Sequence, residues 1–122
     1  GDFTIPGGYR AAKQLLGNPR KRPTAIFAAS DEMAIGAILA ARDLGLHVPE
    51  DVSIIGIDDY SLSAFFGLTT VAQFPEAQGR LAVEILMQQL HPAPTLARSV
   101  DTPLHFELIV RSSTALVDVR RR

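Results

Sequence analysis

The sequence predicts an α/β fold built on a parallel sheet, on the strength of two observations. Two unbroken apolar runs, TAIFAA at 24–29 and VSIIGI at 52–57, are too short for buried helices and lack the polar alternation of a half-wet strand. Between them, SDEMAIGAILAARDLG at 30–45 carries the start and stop signals of a helix. Strand, helix, strand in that order makes a right-handed crossover, so both strands run the same way. Ser30 and Asp58 then stand at one carboxyl edge of the sheet, where open parallel sheets bind ligands.

The elements follow in chain order. Tyr9, Ala12, Leu15 and Leu16 recur at helical spacing, and Gly17 with Pro19 marks the stop, Gly17 in the C′ position. The polar RKRP leads into a first strand, Thr24 to Ala29, covered on both faces. Ser30 caps the next helix, Asp31 and Glu32 sit at its positive end, and Gly45 lies past its finish. Ile35, Ile38, Leu39 and the alanines at 34, 37, 40 and 41 occupy most of that helix's circumference, so more than one side must be buried. LHVPED is a turn, VSIIGI the central parallel strand, and LTTVAQF a further extended piece. Pro75 opens a helix striped with Leu81, Ile85, Leu86 and Leu90. Residues 91–103 form an irregular, proline-rich connection. In LHFELIVRSS, Leu104, Phe106, Leu108 and Val110 alternate with a wetter face of His105, Glu107, Ile109 and Arg111. Arg120 to Arg122 make a basic tail.

Composition narrows the function classes. The 122 residues suit one domain with one core. Twelve Lys plus Arg against 13 acidic residues leave a net charge of −1, with no basic region to grip nucleic acid. Cysteine is absent, which removes disulfides, thiol nucleophiles and Cys-ligated zinc and suits a reducing cytoplasm. GDFTIPGGYR has neither signal-peptide character nor an initiating methionine, so a processed or excised chain is expected. No apolar run approaches the roughly 20 residues needed to span a bilayer.

The chemistry concentrates at SIIGIDD, where an apolar strand ends in Asp58 and Asp59. Such a pair can accept hydrogen bonds from ligand hydroxyls, hold a divalent metal, or cap a turn in water, and the solvated turn is the commonest of the three. Magnesium-assisted phosphoryl transfer would need more oxygen ligands and a phosphate cradle, and neither G-x-G-x-x-G nor a P-loop is present. His47, His91 and His105 are scattered, and no serine sits in a nucleophile elbow, so no metal ligands, cofactor or catalytic residues are assigned. Phe3 lies in a polar context ahead of the first helix. Its ring either folds onto a neighbouring strand or offers a flat face to a sugar or base. The RKR at 20–22 could touch phosphates, but three charges in a loop are usually solvent-facing.

The block PTAIFAASDEMAIGAILAARDLGLHVPEDVSIIGIDD, with LTTVAQ, GRLAVEILMQQL and ELIVRSST, resembles the effector-binding core of the lactose- and galactose-repressor (LacI/GalR) family of bacterial transcription regulators. GDFTIPGGYRAA is similar to its purine-repressor branch. The resemblance implies a three-layer, periplasmic-binding-protein-like architecture of two lobes behind a helix-turn-helix headpiece that reads an operator as a dimer. Residues 1–114 correspond to the C-terminal lobe, the 75–90 helix belongs to the first lobe and is orphaned, and 115–122 form the tail. By the same resemblance Phe3, Ser30 and Asp58 bind a small-molecule effector, a sugar or purine, while Asp59 shapes the turn. Ile35, Leu39, Phe65 and Phe66 fall where such regulators form homodimers. Ser30 replaces the family's frequent Asn, and the segment Asp59 to Leu68 is shorter than usual, with Gly67 near a common proline. The resemblance therefore implies a cytoplasmic, non-enzymatic regulator that meets DNA only through its headpiece and no membrane. The rivals are a secreted solute-binding protein of a transporter and a magnesium-dependent enzyme using Asp58 and Asp59.

Overall fold

A computed structural model describes residues 2–91 and 101–117. The elements run α1 (Ile5–Leu16), β1 (Ala25–Phe27), α2 (Asp31–Asp43), β2 (Ser53–Ile57), β3 (Thr69–Ala72), α3 (Pro75–Leu90) and β4 (Glu107–Ile109). One sheet holds the strands in the order β1-β2-β3-β4. The first two pairings are parallel, with Phe27 opposite Ile55 and Ile57 opposite Val71. β4 joins β3 antiparallel, with Leu108 opposite Val71. The crossover expected from the two apolar runs is present, with one antiparallel edge added.

Local chemistry explains the boundaries. Thr4 accepts from the Gly7 amide at 3.1 Å and Pro6 follows at once, so α1 begins far closer to Phe3 than its apolar spacing suggested. Gly17 is the C-cap itself, in right-handed conformation, and not a left-handed C′ residue. Arg22 of the RKR run donates through Nε to the Leu16 carbonyl at 2.9 Å, covering an open carbonyl of that helix end. At the end of α2, the amides of Gly45 and Leu46 return to the carbonyls of Arg42 and Ala41, a Schellman closure with Gly45 at φ 71°.

Packing is organised around α2, which is clasped between α1 and β2. α1 approaches closely because a Cβ at Gly8 would collide with the Met33 backbone, and one at Gly36 with the Ile5 carbonyl and Tyr9 amide. Ala12, Leu16, Ala34, Ile35, Ile38, Val52, Ile54 and Leu68 make the core. Ile35 is only 1% exposed, so its side chain packs within that core. The second buried side of α2 is taken by α1.

The sheet face away from α2 carries Phe27, Ile55, Ile57, Val71 and Leu108 by register. Phe27 is 64% exposed and Ile55, Ile57 and Val71 only half-buried, so β1 is a bare edge strand and not one covered on both faces. Among the described residues no third layer lies there. β4 also inverts its expected polarity: Phe106, Leu108 and Val110 are exposed while Ile109 and Arg111 are partly buried, because Thr70, opposite Ile109, faces the core. α3 buries none of its residues, and Val83, Leu86, Met87 and Leu90 are exposed. Most of the proline-rich connection and the Arg120–Arg122 tail lie outside the described residues.

Candidate functional site

The candidate site is the corner where β2 ends beside the start of α2. Asp58 and Asp59 leave β2 with φ of 119° and 50°, a backbone region that side-chain-bearing residues rarely enter, at a cost of about 1–3 kcal/mol each. Such a turn persists only where its surroundings over-determine it, and here they do. The Asp58 amide continues the ladder to the Val71 carbonyl at 2.9 Å. The Asp59 amide donates to Thr70 Oγ1 at 3.3 Å and the Tyr60 amide to Asp31 Oδ2 at 2.9 Å.

Asp58 is exposed, and its Oδ1 accepts from Gln73 Nε2 at 3.0 Å. Partial burial, followed by repulsion from Asp31 and then Glu32, pushes its carboxyl above the usual 3.8. The hydrogen bond from Gln73 and the backbone of Asp31 pull the other way. Asp31 opens α2 immediately after Ser30. Ser30 is buried there, with Oγ accepting the Met33 amide at 3.3 Å as the helix cap. Its hydroxyl hydrogen remains available for an acceptor.

Phe3 stands immediately before the cap of α1, 62% exposed, with left-handed backbone at φ 52°. Ser30 caps α2, Asp58 leaves the end of the neighbouring β2, and Phe3 heads α1, which packs on α2. Asp59 does shape the turn, through a specific partner: Arg111 Nη2 lies 2.8 Å from its Oδ1. That ion pair takes the second carboxylate away from the magnesium reading.

Sequence reasoning missed Asp31 as anything beyond a charge favoured by the helix dipole. It is fully buried, and its two oxygens accept from the Tyr60 amide, Ser63 Oγ at 2.5 Å and Thr70 Oγ1 at 2.6 Å. Gly56 makes room for it, since a Cβ there would strike Asp31 Oδ1. The pairing of a glycine within β2 with an acid at the first position of the following helix was the available signal. Of the other assigned residues, Phe65 is 86% exposed, and Leu39 and Phe66 are partly buried against the core.

The family described as periplasmic binding protein-like domain matches residues 1–114. The HTH-type transcriptional repressor PurR of Proteus mirabilis is 40% identical over 126 residues, covering 99% of this chain and 36% of that protein. The chain therefore spans about a third of the length of such curated relatives. Among solved structures, the lac repressor dimer bound to operator and the anti-inducer ONPF superposes with a TM-score of 0.82 at 30% identity, over 95% of this chain and 40% of that one. A LacI family transcriptional regulator from Lactobacillus casei with bound sucrose has a TM-score of 0.74 at 32% identity, over 91% and 41%. A parallel sheet with its acidic corner at the carboxyl edge, matched almost end to end in sequence and in shape to LacI-type repressors, places this chain in the periplasmic binding protein-like domain family.

Proposed function

We propose that the chain is the effector-binding and dimerising lobe of a cytoplasmic DNA-binding transcriptional regulator, with no catalysis of its own. The observation that carries this reading is the exposed Asp58 carboxylate on a clamped turn beside the start of α2. A carboxylate there accepts charge-assisted hydrogen bonds from ligand hydroxyls or ring N–H groups. Ser30 donates from the helix cap, and Phe3 covers an apolar ligand face. A sugar or a purine-like heterocycle fits that chemistry, and the related Lactobacillus casei regulator holds sucrose.

The uncovered sheet face and the unburied stripe of α3 support a working unit larger than this lobe. In it the first lobe receives α3 and completes the ligand shell. Closure of two lobes on effector then shifts the relative placement of two headpieces, which carry the only contacts to operator. Phe65, with Leu39, Phe66 and the helix face around Ile35, supplies the contact of a homodimer, the assembly named for the related lac repressor on its operator. Among the described residues no helix is long and apolar enough to cross a membrane.

Calorimetry on the full-length regulator with a sugar and purine panel tests the reading. Asp58→Ala should weaken the responding effector by at least about tenfold, the loss of one charge-assisted hydrogen bond. An unchanged affinity removes Asp58 from the site. The 122-residue chain alone should bind that effector weakly or undetectably, and submicromolar affinity would overturn the half-site. A full reading frame that encodes a secretion signal in place of a helix-turn-helix would favour the solute-binding rival.

A further inference from the structure

We propose that Asp31 is the positioning residue of this corner, holding the Asp58–Asp59 turn and the Phe65-bearing segment in one register. The proposal deepens the effector-binding reading and rests on it for its functional meaning.

Both amides that follow Asp58 end on this one carboxylate. The Tyr60 amide reaches Oδ2 directly, and the Asp59 amide reaches Thr70 Oγ1, which in turn donates to Oδ1. Those bonds offset the left-handed backbone at Asp58 and Asp59, which would otherwise relax and carry the Asp58 carboxylate away from α2. The third donor, Ser63 Oγ, sits in the turn that continues through Phe65 and Phe66. The Ser63 amide bonds Tyr60 O at 2.8 Å and its carbonyl takes the Leu68 amide at 2.9 Å, so this turn is tied at both ends to the same point. A movement of Asp58 on binding therefore pulls on the segment that presents Phe65, through a buried network with few alternative arrangements.

The charged groups facing Asp58 are Asp31 and Glu32 from α2, with Gln73 from the end of β3 as its neutral donor. Arg111 faces Asp59. Asp31→Asn can keep the Tyr60 and Ser63 bonds on its oxygen and reverse the Thr70 bond, its amide donating to Thr70 Oγ1, while the negative charge is lost. Asp31→Ala removes the hub.

The test is a carboxyl NMR titration of Asp58 together with amide exchange, without ligand. In Asp31→Asn the Asp58 midpoint should move to lower pH and the Tyr60 amide should stay protected. In Asp31→Ala, exchange at Asp59, Tyr60 and Phe65 should rise by about tenfold or more while Ile54 of β2 keeps its protection. An Asp58 midpoint unmoved in Asp31→Asn, or a uniform rise across β2, α2 and the corner in Asp31→Ala, overturns the proposal. Should Asp31→Ala fail to fold, the Asp31→Asn titration and Tyr60 protection decide alone. These readouts need no effector, so failure of the effector reading, seen as an unaltered response of Asp58→Ala in the full regulator, is a separate result.

Discussion

Arg111 grips the end of β2 from the far edge of the sheet: its Nη2 lies 2.8 Å from Asp59 Oδ1, while Nη1 donates to the Leu68 carbonyl at 2.9 Å. One guanidinium thus bridges the turn after β2 and the start of β3. Both partners are partly shielded, which lifts the pair above an ordinary surface contact. Arg111→Ala should lower unfolding free energy by about 1–3 kcal/mol, read as a lower urea midpoint at unchanged slope. Arg111→Lys should recover only part of the loss, because an ammonium on a single stem cannot reproduce the two-pronged fork. Full recovery by lysine would show that charge alone matters.

The raised carboxyl of Asp58 has a defined effect on stability. Its causes, in order, are desolvation and the repulsion of Asp31, opposed by the Gln73 hydrogen bond and the Asp31 backbone, with Glu32 adding a last repulsion. The folded protein therefore holds this proton more tightly than the unfolded chain does. The resulting stabilisation is complete below the ordinary value of 3.8 and is lost as pH rises through the higher folded value. Urea midpoints of the wild type should fall across that acid window relative to Asp58→Asn, which lacks this part of the slope. Parallel curves for the two proteins would contradict the assignment.

Phe65 presents almost its whole ring to solvent on a turn anchored through Ser63. On the proposed function this ring, beside the partly buried Phe66, is the hydrophobic area that a subunit contact would bury. In the full-length regulator Phe65→Asp should weaken dimerisation at least about tenfold by sedimentation, the scale of an anchor residue worth more than 1.4 kcal/mol. Thermal stability of the lobe itself should stay nearly constant, since the ring has no place in the core. A dimer constant equal to wild type would remove Phe65 from the interface.

The sequence by itself determined the order of the elements, the parallel crossover and the corner at Asp58. These rest on local signals: apolar runs of strand length, a serine cap before an acidic first turn, a glycine past the helix end. What only the tertiary structure decided is which face of each element is dry. α2 is apolar nearly all round, and the close approach of α1 at Gly8 and Gly36 turned Ile35 into core. The alternation along β4 was legible, but its polarity was set by Thr70 across the pairing and by the face that β3 turns to α2. Asp31 is the sharpest case, because its hydroxyl partners Ser63 and Thr70 lie 32 and 39 residues further along the chain. An acid at a helix start looks solvated until the fold delivers donors to it, since a buried carboxylate is tolerable only when every oxygen is satisfied, and that satisfaction is assembled from distant segments.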